Sequence, residues 1–136
     1  METKRVLIVD DSFVMRAILA DLTASDPAFT IVGEAENGRV AIEKTKETKP
    51  DLVLLDIEMP EMDGIEALKR LRLLSKAQVI IVSSLTQVGS PIAAEAKRLG
   101  AFAVIAKPSG TLSLDIDEKK GSEIVRTMRK ASGLDP

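Results

Sequence analysis

Five polar side chains stand where an apolar run of this chain ends. Asp10 and Asp11 follow Val6-Leu7-Ile8-Val9, Asp56 follows Leu52-Val53-Leu54-Leu55, Ser83 follows Val79-Ile80-Ile81-Val82, and Lys107 follows Ala103-Val104-Ile105-Ala106. The run before Asp56 suits a short strand buried on both faces, those before Asp10 and Ser83 read as buried strands, and the one before Lys107 ends a further strand. In a parallel sheet all five groups fall on one edge, the crevice in which open α/β sheets bind ligands. Three carboxylates gathered there repel one another. At about 4 Å and an effective dielectric of ~20, each like pair costs roughly 4 kcal/mol. A hard divalent cation relieves that cost, and an all-oxygen set favours Mg²⁺ or Mn²⁺ over zinc.

Composition narrows the chemistry further. The chain has no cysteine, so it has no disulfide framework, thiol nucleophile or zinc-thiolate site. It has no histidine either, which excludes a histidine triad or general base within these 136 residues. A histidine that takes part must come from a partner. Lysine and arginine number 19 against 21 acidic residues, for a net charge of −2, without the positive excess that non-specific nucleic-acid binding needs. Only three residues are aromatic (Phe13, Phe29, Phe102), so the core is aliphatic. The N-terminal apolar stretch is too short for a signal peptide, and no run reaches the 18 residues of a membrane span. A cytoplasmic protein with no membrane partner is expected.

The elements that position the five groups read in order. Strands are expected at Val6–Val9, Thr30–Ala35 (weaker, at an edge), Leu52–Leu55, Gln78–Val82 and Ala101–Ala106. Between them lie helices marked by Val14, Met15, Ile18, Leu19 and Leu22 after a Ser12 cap, by Val40, Ala41, Ile42 and Thr45 after Asn37-Gly38, and by Ile65, Leu68, Leu71 and Leu74. A fourth helix runs from Ser90-Pro91 to Leu99, closed by Gly100, and a fifth covers Ile116 to Lys130, interrupted in pattern by Gly121. Five strands alternating with five helices predict one α/β domain, a doubly wound (βα)5 unit with a five-stranded parallel sheet. It covers residues 1–130, and residues 131–136 read as a frayed tail or the start of a linker. Gly33, Gly38 and Gly89 form no phosphate-binding pattern and read as turns.

Four motifs in this order resemble those of response-regulator receiver domains. They are Val6-Leu7-Ile8-Val9-Asp10-Asp11-Ser12, Leu55-Asp56-Ile57-Glu58-Met59-Pro60-Glu61-Met62-Asp63-Gly64, Val82-Ser83-Ser84, and Gly100-Ala101 with Lys107-Pro108. The resemblance spans roughly residues 4–130 and implies the flavodoxin-like receiver fold with strand order 2-1-3-4-5. It implies that Asp56 is the phosphoacceptor, a carboxylate nucleophile of the kind that forms acyl phosphates. Mg²⁺ would be held by Asp11, Asp56 and the Glu58 backbone carbonyl, with Asp10 acting through water. Lys107 would meet the phosphoryl oxygens, Ser83 would donate a hydrogen bond to the new phosphate, and a histidine kinase would be the donor. Lys107-Pro108 resembles the family's cis peptide. Receivers often carry Tyr or Phe three residues before the lysine; here Val104 stands there, which puts an aromatic-rotamer switch in doubt. Phe102 reads as core.

Ser83-Ser84-Leu85-Thr86-Gln87, Gly100-Ala101-Phe102 and the string from Lys107 to Asp115 resemble, more narrowly, the receiver of the chemotaxis protein-glutamate methylesterases. There a receiver controls a C-terminal serine hydrolase in cis. The 136 residues contain no G-x-S-x-G elbow and no histidine for that hydrolase, so the effector is expected outside them. A stand-alone receiver that docks to a separate partner through its last two helices and fifth strand is the alternative. A haloacid-dehalogenase-like Asp/Mg²⁺ phosphatase is disfavoured by Glu58, where those enzymes want Asp. A flavodoxin-like cofactor binder lacks aromatic residues to stack a flavin.

Overall fold

Strand residues of this chain are apolar at consecutive positions because both of their faces are covered. In the computed structural model, which describes residues 3–59, 62–84, 89–107 and 114–134 and no side chains within 114–122, Val6–Val9, Leu52–Leu55 and Val79–Val82 are at most 1% exposed. The strands are β1 (Lys4–Val9), β2 (Phe29–Ala35), β3 (Leu52–Leu55), β4 (Gln78–Ser83) and β5 (Ala103–Ala106). They form one parallel sheet in the order β2-β1-β3-β4-β5, the expected receiver topology. The helices are α1 (Phe13–Ala24), α2 (Gly38–Thr48), α3 (Gly64–Leu74), α4 (Pro91–Arg98) and α5 (Leu114–Ala131).

Alternate strand residues point to opposite faces, and two cores result. Leu7, Val9, Val53, Leu55, Val79 and Ile81 pack with Ala41 of α2, Ala67, Leu68 and Leu71 of α3, and Ala96 of α4. Val6, Ile8, Leu52, Leu54, Ile80 and Val82 pack with Leu19 of α1 and with Ile124 and Met128 of α5. That second cluster carries α5 straight through Gly121, whose helix-weakening effect of about 1 kcal/mol is small beside the apolar area buried.

Local signals fix the helix starts. Ser12, Asn37, Asp63 and Ser90 each accept a backbone N–H three residues on, from Met15, Val40, Glu66 and Ala93 respectively. At the other end of α5, Gly133 takes a positive φ of 76°, its N–H bonds the Lys130 carbonyl, and the Leu134 N–H reaches the Arg129 carbonyl. These are the paired bonds of a Schellman cap, and Leu134 packs on the second core. The Arg129 guanidinium also bonds both carboxylate oxygens of Asp26, at 3.2 and 2.9 Å, tying α5 to the α1–β2 turn.

Two apolar expectations are corrected. Phe102 is 42% exposed rather than core. It precedes β5, and only its backbone joins the sheet, its N–H bonding the Val79 carbonyl. Val14 is 65% exposed. The packed face of α1 is set by Met15, Leu19 and Leu22, and Val14 lies about 100° around the helix from Met15. The predicted peptide geometry at Lys107-Pro108, and the strings Leu85-Thr86-Gln87 and Pro108 to Ser113, lie outside the described residues.

Candidate metal centre

Strand register brings the acidic groups together. Val9 is paired with Leu55, so Asp10 and Asp56 leave the sheet side by side. The Asp56 N–H bonds the Val9 carbonyl at 3.0 Å, and the Asp10 N–H bonds Ala35 at 3.0 Å, each extending a ladder by one residue. Ser83 is paired with Ala106, and the Lys107 N–H bonds the Ser83 carbonyl at 2.8 Å. Backbone pairing alone therefore sets four of the five groups on one rim.

The side chains then converge. Asp10, Asp11 and Asp56 each offer a carboxylate oxygen within 4.8 Å of the others. Asp10 is fully buried and Asp56 is 2% exposed, whereas Asp11 is exposed and gives the cluster a solvent side. Lys107 Nζ lies 2.9 Å from Asp10 Oδ2 and 3.2 Å from Asp56 Oδ2. The remaining oxygens are held by the backbone: Asp10 Oδ1 accepts the Ser12 N–H at 2.9 Å, and Asp56 Oδ1 accepts the Glu58 N–H at 3.3 Å. Ser83 Oγ is buried at the same rim and has no hydrogen-bond partner among the described residues.

Charge balance identifies what the cluster lacks. Among the described residues three carboxylates face one ammonium, an excess of two negative charges. Burial pushes the Asp56 carboxyl up to about 6, with Lys107 pulling it down and Asp10 pushing it further up. Burial by itself would lower the Lys107 ammonium, but the hydrogen bond to Asp10 and the charges of Asp56 and Asp10 outweigh it and raise it. A buried acid held reluctantly ionised, next to an exposed one, fits a small divalent cation. The donors are all oxygen, which suits Mg²⁺.

The loop after β3 explains how Asp56 can face this cluster. It folds back so that the Gly64 N–H bonds the Ile57 carbonyl at 2.8 Å. A Cβ on Gly64 would lie 2.2 Å from the Asp56 carbonyl oxygen and 2.5 Å from the Ile57 Cα. Gly38 is pressed in the same way, its would-be Cβ lying 2.6 Å from the Met62 carbonyl oxygen. Gly38 is therefore a close approach between α2 and this loop, and not simply a turn residue. Arg16, which the motifs did not single out, donates to the Asp10 carbonyl at 2.7 Å. Its place four residues beyond a cap that itself bonds Asp10 was the available signal. Val104 is partly buried against the first core.

This acid-lined sheet edge on a 2-1-3-4-5 parallel fold defines a class, and sequence comparison agrees with it. Residues 6–117 match the response regulator receiver domain, and the chain belongs to that family. Within it, the chain is similar to the protein-glutamate methylesterase/protein-glutamine glutaminase of Thermotoga maritima, 46% identical over 132 residues that cover 97% of this chain and 38% of that one. It is likewise similar to a second such protein from Carboxydothermus hydrogenoformans, 47% identical over 98% of this chain and 38% of that one. The chain thus spans less than two-fifths of the curated relatives it matches. The crystal structure of the response regulator domain of Thermotoga maritima CheB superposes with a TM-score of 0.87 at 44% identity, covering 99% of this chain and 100% of that one. A chain from the complex of the P1 domain of CheA3 with CheY6 from R. sphaeroides gives a TM-score of 0.81 at 42% identity, covering 98% and 99%.

Proposed function

We propose that this chain is the phosphoacceptor receiver of a chemotaxis two-component pathway, and that it controls a protein-glutamate methylesterase domain C-terminal to it. The observation that carries the reading is the Asp56 carboxylate, buried, 3.2 Å from Lys107 and clustered with exposed Asp11. In this reading Asp10, Asp11, Asp56 and the Glu58 carbonyl hold Mg²⁺. When bound, the cation would neutralise the carboxylates and screen the incoming phosphoryl group.

One Asp56 oxygen attacks the phosphorus of a phosphohistidine on a partner kinase. The new O–P bond forms as the P–N bond breaks, and the imidazole leaves with the electron pair. Lys107 stands beside Asp56, able to follow the phosphoryl oxygens. The Ser83 hydroxyl, which has no hydrogen-bond partner among the described residues, donates to them in this reading, so phosphorylation supplies an acceptor for a buried group. Drawing both donors inward moves the ends of β4 and β5, and this is the signal. A histidine kinase as partner is supported by the likeness to a chain crystallised with a P1 domain. The effector in cis is supported by the greater length of the methylesterase relatives. Residues 1–130 act as the receiver and residues 131–136 lead towards the effector. Among the described residues no helix is long and apolar enough to cross a membrane, in keeping with a cytoplasmic setting.

Incubation with acetyl phosphate and Mg²⁺, followed by intact-mass measurement, is expected to add one phosphoryl group to the native chain and none to Asp56→Ala. A labelled Asp56→Ala overturns the assignment. Sequencing the gene beyond Pro136 is expected to reveal a G-x-S-x-G elbow with a downstream histidine; a stop codon there removes the effector in cis.

A further inference from the structure

We propose that Arg16 is a positioning residue of the acidic centre: its guanidinium, bridging the Asp10 carbonyl and the Glu34 carboxylate, holds the β1–α1 turn so that Asp10 and Asp11 face Asp56. The inference rests on the metal-site reading above and assigns it a residue outside the motifs.

Arg16 is four residues past the Ser12 cap, at the end of α1 where the helix dipole disfavours a cation, and the first turn carries no acid to offset it. The side chain is nonetheless only 14% exposed and is held on three sides. One terminal nitrogen donates to the Asp10 carbonyl at 2.7 Å, and Nε donates to Glu34 Oε1 at 3.1 Å. The guanidinium carbon sits 5.8 Å from the centroid of the Phe13 ring. These contacts join the ends of β1 and β2 to the first turns of α1.

The Asp10 carbonyl belongs to the peptide plane that continues into Asp11. Holding its oxygen fixes ψ of Asp10 and hence the direction in which Asp11 leaves the strand. The other groups of Asp10 are already committed: its N–H to Ala35, Oδ1 to the Ser12 N–H and Oδ2 to Lys107. The carbonyl is the remaining polar group of Asp10, it lies on that plane, and Arg16 bonds it. A planar fork can serve a carbonyl and a carboxylate at once, which a single ammonium cannot do with the same geometry.

Calorimetric titration with Mg²⁺ at pH 7.5, on chains that circular dichroism shows to be folded, tests this. Arg16→Met and Arg16→Lys are both expected to weaken Mg²⁺ binding, by about tenfold or more if Arg16 acts as outer-shell partners of metal ligands do. The control is Arg129→Met, which loses the remote pair with Asp26; it is expected to lower the melting temperature while binding Mg²⁺ as the native chain does. Native-like affinity in Arg16→Met means that Arg16 only stabilises the fold and overturns the proposal. Full restoration in Arg16→Lys means that charge suffices, and overturns the geometric argument. Where Arg16→Met does not fold, Arg16→Lys carries the test alone. A native chain that binds no Mg²⁺ sinks the metal-site reading instead.

Discussion

Replacing Asp56 by Asn should stabilise the metal-free protein at neutral pH. The Asp56 carboxyl ionises at about 6 in the folded chain against 3.8 when unperturbed, chiefly because burial disfavours its charge. A raised carboxyl means that the folded state binds a proton more tightly than the unfolded one. Stability therefore falls as pH rises from about 4 to about 6 and stays low above that. The gap is about two pH units, and at roughly 1.4 kcal/mol per unit the cost at pH 7.5 is about 3 kcal/mol. Asn is close to isosteric and carries no charge, so Asp56→Asn escapes this term. Urea unfolding in chelator, followed by far-UV circular dichroism because the chain has no Trp or Tyr, measures the difference. Asp56→Asn should be more stable by up to about 3 kcal/mol at pH 7.5, a gap that holds down to about pH 6 and then narrows by roughly 1.4 kcal/mol per pH unit to near zero at pH 4. Subtracting the two profiles removes other titrating groups, including Asp26, whose carboxyl is lowered by the Ala28 N–H and by Arg129, against burial. Adding Mg²⁺ at ten times its Kd should return roughly 1.4 kcal/mol to the native chain and less to the variant. A pH-independent gap, or a native chain more stable than Asp56→Asn at pH 7.5 without metal, would refute the argument that Asp56 is held ionised at a cost.

Other outcomes follow from the same contacts. Lys107→Met should bind Mg²⁺ more tightly, because the ammonium competes for Asp10 and Asp56 oxygens, yet react more slowly with acetyl phosphate; titration and intact mass measure the two. Ser83→Ala should cost less than about 1 kcal/mol in urea unfolding, since its buried hydroxyl makes no hydrogen bond among the described residues. It should nevertheless shorten the lifetime of the phosphorylated chain. Gly64→Ala should destabilise by at least about 1–3 kcal/mol and abolish Mg²⁺ binding, because the added carbon meets the Asp56 backbone at 2.2 Å. Arg129→Ala should cost about 1 kcal/mol for a partly exposed pair and remove Arg129's part of the stability that Asp26 contributes above its unperturbed pKa and loses as pH falls through the lowered one, the Ala28 N–H keeping the rest.

What the residues determine locally could be read without coordinates. The unbroken apolar runs of β1, β3 and β4 announce strands covered on both faces. Ser12, Asn37 and Ser90 mark helix starts through bonds that span three residues. Asp10, Asp11, Asp56, Ser83 and Lys107 stand at run ends, so a parallel sheet had to collect them on one edge. The order of the strands is not in those runs, since Leu52–Leu55 would sit equally well beside any apolar neighbour, and motif resemblance supplied it. Only tertiary structure decided which groups touch. Register sets Asp10 beside Asp56, burial raises the Asp56 carboxyl, and chain folding presses Gly64 onto Asp56 and Gly38 onto Met62. The same holds for Arg16, whose partners Asp10 and Glu34 lie on two different strands, and for Phe102, left partly in solvent while its backbone joins the sheet. Distances and dielectric environments depend on residues far apart in the chain, and no local pattern of hydrophobicity encodes them.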